Sequence, residues 1–130
     1  MITRMTIYVF GNPDVLMDSL PLRLLPKLRE YFPKVVFEVM DPAEEWNVPE
    51  DVVVLDTVEG ISDVVLFDDL EKFIPAPRLS MHDFDALANV RFLKKLGKIK
   101  SVKVIGVPFG TGEQDVFEKV VRILNDKILK

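Results

Sequence analysis

The chain has 130 residues, 48% hydrophobic and 29% charged, with a formal net charge of −4 and no cysteine. That length supports one domain over 1–130, and the missing cysteines exclude disulfides, thiolate metal sites and cysteine nucleophiles. The acidic balance with scattered Lys and Arg argues against a nucleic-acid surface, and no apolar run approaches the ~18 residues of a membrane span.

The first segment, "MITRMTIYVFGNP", lacks a small-residue cleavage site and reads as a strand over 4–10 rather than a signal peptide. With no targeting segment recognised, the expected location is the cytoplasm. Gly11-Asn12-Pro13 breaks the strand. Pro21 suits a first helical turn, and Leu22, Leu25 and Leu28 share one face of the helix that follows. Pro26 lies inside that run, so a short, kinked or restarted helix is expected.

"KVVFEVM" (34–40) is a second strand and "DPAEEWNVPED" (41–51) a polar loop. "VVVLD" (52–56) is apolar until it ends on Asp56, the signature of a central strand covered on both faces. "TVEGIS" reads as a turn and "DVVLF" (63–67) as a fourth strand. The gap is too short for a parallel crossover, so strand four is expected antiparallel to strand three. Residues 68–80 read as a connection.

A helix is expected from Ser80, with Phe84, Leu87, Ala88, Phe92, Leu93 and Leu96 at helical spacing and Gly97 at its end. The basic run "RFLKKLGKIK" (91–100) then falls where cations complement the helix dipole. "SVKVIGV" (101–107) is a fifth strand, and "QDVFEKVVRILNDKIL" a final amphipathic helix. The pattern β-α-β-β-β-α-β-α implies a three-layer α/β sandwich. Its sheet would be twisted, five-stranded and mostly parallel, with one antiparallel strand and helices on both faces. Abundant Glu, Lys and Asp beside one Gln is a composition that leans to a thermophile.

Ligands of such folds bind beyond the carboxyl ends of the strands. Asp18 after strand one, Asp56 on strand three and His82 at a helix start stand at such positions. Two carboxylates and one imidazole suit a borderline divalent ion such as Zn²⁺, Ni²⁺ or Mn²⁺, with positions left open for water or substrate. Each has a plainer alternative: Asp18 as a helix cap, Asp56 as a strand end, and His82 as a structural helix-entry residue. No HExxH motif, phosphate-loop motif or nucleophile-elbow serine is present. The glycine-rich "GVPFGTGE" (106–113) could bind an anion through backbone N–H groups or serve only as a loop.

Four landmarks occur in a fixed order: "VFGNPDVLMDSL", "VVVLDTVEGI", "SMHDFDALANV" and "VIGVPFGTG". Together they resemble the hydrogenase maturation endopeptidases, of the divergent archaeal-type branch, which trim the large subunit of [NiFe] hydrogenases. The resemblance implies that Asp18, Asp56 and His82 contact nickel already inserted in the large-subunit precursor. Other divalent ions are able to occupy the same site. It implies a catalytic role for the same three residues in releasing a C-terminal extension. It assigns substrate contacts to Gly11, Asn12, Asp41 and Pro108. The chain departs from the family pattern at Met17, where the first acid of a pair is usual, and at "DPAEEW", where the family has a glycine-rich stretch. A relative that binds without cleaving, docking on a hydrogenase-like partner or a small anion, fits the same landmarks.

Overall fold

A computed structural model describes residues 5–10, 19–40, 51–59, 61–67, 78–79, 100–108 and 112–129. Its strands are β1 (Thr6–Val9), β2 (Val36–Val39), β3 (Asp51–Glu59), β4 (Val65–Phe67), β5 (Arg78–Leu79) and β6 (Ser101–Val107). Its helices are α1 (Leu20–Tyr31) and α2 (Glu113–Ile123), which runs on as a π-helical turn (Leu124–Ile128). The main sheet has the order β2-β1-β3-β6-β4. The first four of these lie parallel, and β4 runs antiparallel beside β6. This is the α/β, mostly parallel five-stranded sheet expected.

Alternation along the strands builds two apolar faces. Ile7, Val9, Phe37, Val53, Leu55, Ile105 and Val107 form one core with α1 and α2. Tyr8, Phe10, Val52, Val54, Val58, Val102 and Val104 form the other. Both faces are buried, which is why the central strands read as continuous apolar runs. Both described helices lie on the first face. The helix expected over 80–96, and with it most of the basic run, falls outside the described residues.

Helix α1 is held by Leu20, Pro21, Leu24, Leu25 and Leu28, all buried. Of the short, kinked or restarted helix expected, the restart is not seen: one 12-residue helix runs through Pro26. Pro26 is exposed, so the Leu22 carbonyl that loses its N–H partner lies toward water, while the leucine stripe keeps the helix seated. The Pro26→Ala variant should therefore be more stable. A helix-interior proline is about 3 kcal/mol worse than alanine, and the freer unfolded chain takes back about 0.4–1 kcal/mol. A gain of about 2–2.6 kcal/mol in urea unfolding is expected, and a lower midpoint would refute it.

Four further expectations are corrected. Strand β3 does not end at Asp56 but runs on to Glu59, because Thr57 still pairs with Val107 of β6 and β5 then supplies a new antiparallel partner, Val58 opposite Leu79 and Glu59 opposite Arg78. Residues 57–59 are thus strand rather than turn. The connection 68–80 accordingly contains a strand, β5. Strand β4 opposes β3 in direction as expected, but its hydrogen-bonding neighbour is β6. The last helix starts at Glu113, with Gly112 as N-cap and Glu113 and Asp115 favourable to its dipole, and its final residues widen into the π turn, closed by Leu129 N–H to the Leu124 carbonyl at 2.7 Å.

Candidate functional site

Parallel register brings the carboxyl ends of the central strands level. Val9 pairs with Leu55, and Leu55 with Ile105. One residue on, Phe10, Asp56 and Gly106 therefore stand in a row across β1, β3 and β6, tied by Phe10 N–H to the Leu55 carbonyl at 3.0 Å. Sheet order also marks this edge. From β1 the chain leaves toward β2 on one side, whereas from β3 it continues toward β4 and β6 on the other. Connections that part in this way open a crevice at the carboxyl ends of the two strands. Asp56 stands on one of them, and Phe10 follows directly from the other.

Asp56 is 1% exposed, in a strand whose residues 52–58 are all buried. Alternation with Val54 and Val58 places it on the second face, away from α1 and α2. A carboxylate withdrawn from water needs compensating polar contacts. One is the Thr57 backbone N–H, which donates to Asp56 Oδ1 at 2.8 Å. Thr57 itself is fully buried. A carboxylate oriented by a backbone donor suits a divalent cation, because ligating carboxylates are themselves hydrogen-bonded in this way.

On the same face lies Tyr8, two residues before Phe10. Burial raises its phenol above its ordinary pKa of 10.0, and the neighbouring charge of Glu38 adds to the effect. The phenol is therefore neutral and a hydrogen-bond donor throughout the physiological range.

Of the three predicted metal ligands, only Asp56 is described. Asp18 and His82 lie outside the described residues, as do the predicted substrate contacts Gly11, Asn12 and Asp41. The N-cap of α1 is Ser19, one residue after Asp18. Ser19 is buried, and its hydroxyl accepts from Arg23 Nε at 3.1 Å. Pro108 is buried directly after β6, on the same edge as Asp56. Among the described residues, no three His, Cys, Asp or Glu side chains group as a metal site. No helix among them is long and apolar enough to cross a membrane.

In the sequence Phe10 and Thr57 carry no sign of a role, and Gly106 reads only as the start of a glycine-rich loop. Register shows that Gly106 stands opposite Asp56, with Phe10 at the same level beyond β1. A cavity of about 310 Å³ lies between Met5, Asp51, Ser101, Lys103 and Ile128, at the amino ends of β3 and β6. It is on the opposite edge of the sheet from Asp56.

The whole architecture has close counterparts among solved structures. The hydrogenase maturating endopeptidase HybD from E. coli superposes with a TM-score of 0.65 over 95% of this chain and 93% of its own, at 13% identity. The chain has the fold of that endopeptidase. The endopeptidase HycI from Escherichia coli gives a TM-score of 0.63 at 17% identity, covering 92% of this chain and 88% of its own. No protein-family model matches the sequence, and no curated protein matches it. The likeness is thus one of fold, carried by core periodicity and connection order more than by residue identity.

Proposed function

We propose that this chain is a maturation endopeptidase that removes a C-terminal extension from the large-subunit precursor of a [NiFe] hydrogenase in the cytoplasm. The observation that carries the reading is a buried carboxylate, Asp56, at the carboxyl edge of a sheet whose fold is shared with a hydrogenase maturating endopeptidase over nearly the whole chain.

In this reading the nickel belongs to the substrate and arrives with the precursor. Asp56, aligned by the Thr57 N–H, meets it from β3, with Asp18 and His82 as the other two ligands. The ion would polarise the scissile carbonyl and acidify a water. The chain's own part is to align its ligands and to hold the peptide. Burial around Asp56 strengthens its pull on a cation. Gly11, Asn12, Asp41 and Pro108 are the proposed substrate contacts.

The test is incubation with a nickel-loaded large-subunit precursor, followed by mass spectrometry of the product. Wild-type protein should shorten the precursor, and His82→Ala should leave it intact. An intact precursor that co-elutes with the wild-type chain would replace the protease with a binding module.

A further inference from the structure

We infer that Gly106 is a positioning residue for Asp56, a role that rests on the reading of Asp56 as the residue that meets the substrate's nickel. Gly106 is the cross-strand neighbour of Asp56 on β6, and on its other side it pairs with Val65 of β4. Glycine in the interior of a central strand weakens it, and is kept there when another group must approach closely. Here three side chains do so. A Cβ on residue 106 would stand 2.8 Å from Val58 Cγ2, 3.0 Å from Phe67 Cε2 and 3.4 Å from Ile61 Cδ1.

Val58 is the critical contact. It is fully buried and short, so it has no flexible end to swing aside. It is two residues beyond Asp56 on the same face, where β3 exchanges its partner for β5. A methyl at 106 therefore pushes on the segment that carries the Thr57 N–H, which fixes Asp56 Oδ1. The bare Cα of Gly106 lets Val58 and Phe67 close over it, and their packing holds β3 in the position that aims the carboxylate.

The test is amide hydrogen exchange on the full chain without metal, comparing Gly106→Ala with Gly112→Ala. An added Cβ at residue 112 meets nothing within 4 Å, so that variant serves as control. In Gly106→Ala, Thr57 protection should fall about tenfold more than Val53 protection, a local opening and not a global one. The control should change neither. The double variant Gly106→Ala/Val58→Ala removes the closest clash and should restore the Thr57 to Val53 ratio. It also decides the matter if the single variant fails to fold. A single variant with an unchanged ratio, or a double variant with the ratio still depressed, overturns the inference. Incubation of the wild type and of Asp56→Asn with the nickel-loaded precursor, run alongside, tests the metal reading separately. If neither shortens the precursor, the proposed function falls while the exchange result still stands.

Discussion

Asp56→Asn should abolish precursor cleavage by about a hundredfold or more while leaving the fold intact. The two effects separate because the substitution keeps shape and removes charge. Asparagine Oδ1 still accepts from the Thr57 N–H, so the backbone bond survives. The buried charge disappears, which relieves desolvation in the metal-free protein. Stability should then stay within about 1 kcal/mol of wild type or rise. Losing even an indirect support of a metal site typically costs 10–100-fold, so a direct ligand belongs at or beyond the upper end. Processing is read by mass spectrometry of the precursor, and stability by thermal melting of the same preparations. A variant that cleaves at the wild-type rate would remove Asp56 from the site. A variant that cleaves poorly because it has lost several kcal/mol would make the carboxylate a structural group.

The sheet was legible because its strands obey local rules. Residues 52–56 carry four apolar side chains before one acid, and this run proved to be the buried central strand. "SVKVIGV" matched β6 residue for residue. What escaped is what depends on distant partners. Thr57, Val58 and Glu59 look like a turn because Thr57 is held by Val107 on β6 and the other two by β5, a two-residue element with no periodicity to detect. Pro26 suggests a restart locally, yet the stripe of Leu20, Leu24, Leu25 and Leu28 keeps one continuous helix seated. The site divides in the same way. Asp56 stood out as an acid after an apolar run, whereas Gly106 matters through Val58 and Phe67, residues 48 and 39 positions away by their numbering.

Burial, and not apolar character alone, should decide which aliphatic side chains hold this fold. Ile105 is fully buried at the centre of β6, opposite Leu55 on one side and Leu66 on the other, in the core shared with α1 and α2. Val39 is equally β-branched but 50% exposed, on the edge strand β2. Ile105→Ala removes buried methyl and methylene groups from a close-packed interior and leaves a cavity that the rigid central sheet closes only in part. The expected cost is about 2–5 kcal/mol. Against a whole-domain stability of about 5–15 kcal/mol, that is a large share. Val39→Ala loses contacts that water already replaces and should stay within about 0.5 kcal/mol of wild type. Urea unfolding of both variants measures the contrast, with an unchanged slope as the check that the midpoint reports stability. If Ile105→Ala cost less than about 1 kcal/mol, the helices on this face would not be packed against β6 as the core requires.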